Sequence, residues 1–167
     1  EVMVEWGCRL PAKEEDLRSL PGIGPAKAAE ILALGELARR FAATPLSPGT
    51  RFTGSGAVFA HFHERLRDLK KEVFLTLMLD SKNRLLREME ISVGSLTASI
   101  VHPREVFAPV LRESAASIIL VHNHPSGDPT PSPEDIQVTR SIVEAGDLLG
   151  IEVLDHLVIG HQRFVSL

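Results

Sequence analysis

One cysteine, Cys8, is all the thiol chemistry that the 167 residues contain. A disulfide framework within them is excluded, and a lone thiol fits a reducing compartment. No apolar run approaches the roughly 20 residues of a membrane span, and no signal-peptide pattern opens the sequence. The expectation is a cytoplasmic protein without a membrane segment. The first residue is glutamate rather than methionine, so the chain reads as a fragment of a longer protein. Neither sign of charge dominates: 18 Lys and Arg stand against 22 Asp and Glu, a formal net charge of -4. Nucleic acid is offered no global attraction, and any DNA contact has to be local. Internal repeats and low-complexity tracts are also missing. What remains is ordinary globular composition, 44% hydrophobic and 24% charged, with enough chain for one good core and a small second unit.

Chemistry concentrates between Ile118 and Ile136, in IILVHNHPSGDPTPSPEDI. The apolar run Ile118 to Val121 reads as a buried strand. His122 and His124 follow at i and i+2, so both imidazoles leave the same strand face if the strand continues through them. A loop dense in Pro and Gly ends at Ser132-Pro133-Glu134-Asp135, which has the form of a helix start. Ser132 is the N-cap, Pro133 the first helical residue, and the acids lie in the first turn. The loop can fold Asp135 back towards the histidines. Two neutral imidazoles and a carboxylate, with a fourth position for water, form the ligand set of a catalytic zinc site. Taken separately, each feature has a plainer reading. A histidine at a strand end is commonly a satisfied or solvated side chain, and Ser132 with Asp135 is also a capping box.

The N-terminal part is helical. Glu14 to Leu20 reads as a short helix, Leu20-Pro21-Gly22-Ile23-Gly24 as a tight turn, and Pro25 to Phe41 as a second helix. Glycines flanking Ile23 permit the sharp turn and bare amide groups at the next helix N-terminus. The PGIG segment resembles a helix-hairpin-helix, a motif that in many families grips a DNA phosphate through backbone N–H groups. Gly22, Gly24 and Lys27 are then the expected nucleic-acid contacts. Against this, the bases up to Pro45 are outweighed by the acids, and helical hairpins also serve as docking or packing units. Thr44 to Gly49 is a linker by composition, giving an expected organisation of 1–45 (hairpin unit), 46–53 (linker) and 54–167 (main domain).

From Ser55 or Gly56 a helix is expected through Val58, Phe62 and Leu66. His61 and His63 on it lie about 200° apart, too far to share a metal, and read as surface histidines. Glu72 precedes the apolar strand Val73 to Leu79, and Leu85 to Val93 returns as a second. Ser95 to Val101 reads as a third strand or extended loop, Pro103 to Ser114 as a helix, and Ile136 to Leu149 as another that Gly150 stops. Ile151 to Ile159 and Arg163 to Leu167 close as a hairpin. The order describes an α/β fold, a mixed sheet flanked by helices.

With these residues placed, the chain resembles the RadC family within the JAB/MPN group of metalloproteins. The group's motif is an early-strand glutamate, then His-x-His, seven residues, Ser, two residues, Asp. His122-Asn123-His124, Ser132 and Asp135 match it completely, and Glu72 matches the glutamate. HNHPSGDPTPS, His102-Pro103-Arg104-Glu105 and the PGIG hairpin carry the RadC likeness, which runs from about Leu17 to Leu167. The resemblance implies a JAB/MPN, cytidine-deaminase-like fold and one zinc ion held by His122, His124 and Asp135. It implies a metallopeptidase or isopeptidase acting on a peptide or protein. Glu72 would be the general base, and Ser132 would bind the developing oxyanion or steady Asp135. Asp155 and His156 are candidates for supporting the ligands, or are purely structural. The residue between the histidines is Asn123, where ubiquitin-directed relatives usually carry Ser or Thr, and this leaves the substrate open. The alternative is a DNA-associated repair factor whose metal site is structural or acts on nucleic acid.

Overall fold

The computed structural model describes residues 13–42, 47–94 and 101–167. The expectations that involve Trp6, Cys8, the start of the linker and a strand at 95–100 fall outside them. The chain divides into two compact units, Glu1–Thr44 and Pro45–Leu167. Among the described residues no helix is long and apolar enough to cross a membrane.

In the first unit, α1 (Glu14–Arg18) starts on three acids, which suits a helix N-terminus. Leu20 N–H donates to the Leu17 carbonyl (3.1 Å) and Ile23 N–H to that of Leu20 (3.3 Å), closing a tight turn. Gly22 sits there at φ +81°, a conformation that a side chain would strain. The Gly24 carbonyl accepts the first bond of α2 (Pro25–Ala42), from Ala28 N–H at 3.0 Å. Leu17 and Ala28 are fully buried, whereas Gly22, Gly24 and Lys27 are exposed.

The second unit runs α3 (Ser55–Leu66), β1 (Glu72–Leu79), β2 (Leu85–Gly94), α4 (Pro103–Arg112), β3 (Ser117–Asn123), α5 (Pro133–Leu149), β4 (Glu152–Ile159) and β5 (Phe164–Ser166). The five strands form one sheet in the order β2-β1-β3-β4-β5. Only β3 and β4 pair in parallel, and α5 is the crossover that parallel pairing requires. Central strands β1 and β3 are covered on both faces, which is why they read as largely apolar runs rather than alternating ones. Val73, Leu75, Leu77, Ile119 and Val121 pack with Val58, Phe62 and Leu66 of α3. Phe74, Met78, Ile118 and Leu120 face Val106 and Val110 of α4 and Val138 and Ile142 of α5. The result is a helix–sheet–helix sandwich. Each fully buried Leu, Val or Phe contributes about 1.5–3 kcal/mol.

Two sequence expectations change. The later part of the expected linker is hydrogen-bonded into the second unit: Gly49 N–H donates to the Leu85 carbonyl (2.7 Å) and Leu85 N–H to that of Thr50 (2.8 Å). His61 and His63 are half-buried rather than fully at the surface, because α3 packs on the sheet. His63 Nε2 donates to the His161 carbonyl (2.5 Å), tying α3 to the β4–β5 turn. His61 packs edge-on against Phe62, and burial depresses its pKa.

Candidate metal centre

Ile118, Leu120 and His122 lie on one side of β3, so the apolar stripe facing α5 ends in an imidazole. His122 is fully buried, and Phe74, its register partner on β1, stacks with it at 5.9 Å between centroids and 14° between planes. His124 extends the strand by one bond, its N–H donating to the Ile159 carbonyl of β4 at 3.0 Å. The chain then turns at Gly127, whose φ is +83° and whose N–H returns to the His124 carbonyl (2.9 Å). A Cβ at this glycine would fall 2.0 Å from His161 Cδ2, so only glycine lets the loop pass under that ring.

The loop delivers the N-terminus of α5. Ser132 Oγ accepts from Asp135 N–H (3.1 Å), and Asp135 Oδ2 accepts from Ser132 N–H (2.7 Å), a complete capping box. The Ser132 hydroxyl donates to the same Oδ2 at 2.6 Å. The cap thus aims the carboxylate at the two histidines. Asp135 is 3% exposed and meets both histidines. His122 Nε2 lies 3.3 Å from Oδ1, His124 Nε2 lies 3.2 Å from Oδ2, and the two Nε2 atoms are 3.1 Å apart. Four tetrahedral ligands at zinc's ~2.0–2.1 Å bond lengths stand about 3.3–3.4 Å from one another. The three side chains thus bring together donor atoms that all lie within 4.8 Å of one another and could hold a metal ion, the group of potential ligands found among the described residues.

Backbone and neighbours orient the rings. His124 Nδ1 lies 2.8 Å from the Asp128 carbonyl, which can only accept, so Nδ1 carries the hydrogen and Nε2 faces inward. His122 Nδ1 lies 2.8 Å from His156 Nε2 on β4. Burial lowers the pKa of His122, and lowers that of His156 well below the usual value. The hydrogen bond to Asp135 raises that of His124. Burial pushes the Asp135 carboxyl up, but its contacts with His122, His124 and Ser132 outweigh it and hold the acid well below the usual carboxylate range.

Glu72 opens β1, two residues before Phe74. In the antiparallel register that pairs Phe74 with His122, two residues back on β1 corresponds to two forward on β3, at His124. Its negative charge acts on both histidines. Asn123, fully buried between them, holds this end of β1: its Oδ1 accepts from Val73 N–H (2.8 Å) and its Nδ2 donates to the Lys71 carbonyl (3.2 Å). One side chain thus fastens the backbone on either side of Glu72. Neither this role nor that of Thr139, which bonds His156, was evident in the sequence. An asparagine between two histidines and a threonine four residues after Asp135 carry no local signal for either. Of the two candidate supporting residues, His156 reaches the triangle. Asp155 does not, because it points to the opposite sheet face and accepts from Ser55 Oγ (2.5 Å) and Ser166 Oγ (2.7 Å).

Residues 52–167 match the family model described as RadC-like JAB domain, and residues 9–34 that of the helix-hairpin-helix motif. A UPF0758 protein of Syntrophotalea carbinolica is 64% identical over 156 residues, covering 93% of this chain and 69% of that relative. A UPF0758 protein of Geotalea uraniireducens is 59% identical over 155 residues, 93% of this chain and 68% of the relative. One from Methanosarcina acetivorans is 55% identical over 151 residues, 90% and 66% respectively. A mixed five-stranded sheet, a His-His-Asp triangle at the end of its central strand and these similarities converge: the chain belongs to the RadC-like JAB family, with a helix-hairpin-helix motif ahead of the JAB domain.

Proposed function

We propose that this protein is a zinc-dependent hydrolase that cuts peptide or isopeptide bonds. His122, His124 and Asp135 hold the ion, and Glu72 acts as general base. The observation that carries the reading is the convergence of His122 Nε2 and His124 Nε2, 3.1 Å apart, on the two oxygens of the Asp135 carboxylate, at 3.3 Å from Oδ1 and 3.2 Å from Oδ2 respectively. It offers three ligands and leaves a fourth tetrahedral position to something other than protein, as catalytic rather than structural zinc sites do. Zinc bound there supplies Lewis acidity and brings the pKa of water towards ~7. Glu72 accepts the proton that the attacking water gives up and returns it to the leaving amine. Its position at the start of β1, fastened by Asn123, supports this role. The Ser132 hydroxyl is committed to Asp135 Oδ2, which favours a role in steadying that ligand over one in binding an oxyanion.

The first unit is proposed to contact DNA phosphates through the backbone around Gly22 and Gly24, with Lys27 adding charge. The match to the helix-hairpin-helix motif and the exposure of these residues support it. Elemental analysis tests the metal reading. About one zinc per chain is expected in the wild type, none in His122→Ala/His124→Ala, and an unchanged content in His61→Ala. Full occupancy in the double variant would refute it.

A further inference from the structure

The direction of one buried hydrogen-bond chain can be read from its far end. Thr139, one turn along α5 from Asp135, has its hydroxyl 2.6 Å from the Asp135 carbonyl, an atom that only accepts. The hydroxyl hydrogen is spent there. The same oxygen lies 2.6 Å from His156 Nδ1, so that nitrogen must donate. In a neutral imidazole the other nitrogen is then bare. That nitrogen, His156 Nε2, is 2.8 Å from His122 Nδ1, which must donate in turn. His122 Nε2 is thereby left with its lone pair directed at His124 Nε2 and Asp135 Oδ1. Reversing the chain would turn the Thr139 hydrogen to His156 and set two oxygen lone pairs against each other at 2.6 Å. It would also put a hydrogen on His122 Nε2, in the middle of the ligand triangle. Burial keeps His156 neutral: it is 1% exposed and Phe74 packs edge-on against it at 5.4 Å.

We propose that Thr139 and His156 are positioning residues that lock His122 into the Nδ1–H tautomer and so present its Nε2 to the metal. The chain of hydrogen bonds runs from the Asp135 backbone through Thr139 and His156 to His122, whose bare Nε2 then lies 3.3 Å from the Asp135 side chain. It couples the aim of one ligand to the helical turn that carries another. The proposal rests on the metal reading above.

Zinc affinity measured by chelator competition, together with nitrogen-15 NMR of the imidazoles in metal-free protein, tests it. Thr139→Val keeps the side-chain shape and removes the oxygen. Loss of partners of this kind typically costs 10–100-fold in metal affinity, and His122 should become a mixture of tautomers. Thr139→Ser should restore both wild-type values. His156→Gln, whose amide oxygen can still accept from His122 Nδ1, should bind zinc more tightly than His156→Leu. A Thr139→Val protein that binds zinc within twofold of wild type and keeps a single His122 tautomer would overturn the proposal. If His122→Ala and Asp135→Ala lose zinc while Thr139→Val does not, only this inference fails. If those two variants keep their zinc, the metal reading fails and takes the inference with it.

Discussion

Asp135 serves two purposes, and Asp135→Ala separates them by stability with and without zinc. In the absence of metal its carboxylate closes the capping box of α5 by accepting Ser132 N–H (2.7 Å) and Ser132 O–H (2.6 Å). Asp135→Ala leaves the N-cap bond of Ser132 Oγ in place but frees these two donors, and a lost hydrogen bond costs about 0.5–1.5 kcal/mol. Repeating the measurement at rising pH until the difference between the proteins is constant removes a complication. The hydrogen bond to Asp135 raises the pKa of His124, so that pair stabilises fully below the unfolded value of 6.5 and loses its effect as pH rises through the folded one. With free zinc at a hundred times its dissociation constant, wild type gains about 2.7 kcal/mol by linkage. The variant, with one ligand missing, should gain little. The difference between the two proteins should therefore grow from about 1 kcal/mol with chelator to about 3–4 kcal/mol with zinc, the sum of the lost hydrogen bonding and the linkage. Urea unfolding in chelator and in buffered zinc reads both numbers. A difference that stays the same under the two conditions would refute the ligand role and leave Asp135 a cap alone.

Glu72→Gln should keep zinc content and melting temperature while losing roughly 10²–10⁴-fold in rate on any peptide or isopeptide substrate; equal turnover of the two proteins would end the case for Glu72 as the base. Sequence-independent DNA binding should weaken as salt rises and disappear on deletion of residues 1–45, and unchanged affinity in the truncated protein would make the hairpin a docking or packing unit. Asp80 is held down to about 2, from 3.8, by hydrogen bonds from Arg84 backbone and side chain. The depressed value means its contribution is complete above pH 3.8 and vanishes as pH falls through about 2. Wild type should therefore be the more stable of the pair with Asp80→Asn at neutral pH, and acid unfolding curves should converge over that window; parallel curves would contradict the assignment.

What the sequence determined by itself is whatever local pattern encodes. Six apolar residues and one threonine from Val73 to Leu79 specify a strand covered on both faces, and Ser132-Pro133-Glu134-Asp135 specifies a helix start, since caps and periodicity act over a few residues. His122 and His124 on one strand face, with an acid brought back by the next helix, follow from the same short-range rules. The distant partners do not. His156 lies 34 residues from His122, and its contact depends on the parallel pairing of β3 with β4, which sets Leu120 beside His156. The fastening of β1 by Asn123 spans 50 residues and depends on β1–β3 register. His61 and His63 read as surface residues because helical spacing says which side chains share a face, and only packing says which face is covered. Residues 47–53 read as a tether because proline and glycine mark a break in regular structure, while the bonds from Gly49 and Thr50 to Leu85 belong to strand packing. Tertiary register alone decides which tautomer His122 adopts, because the hydroxyl that orients it is on α5 and the ring that relays it is on β4.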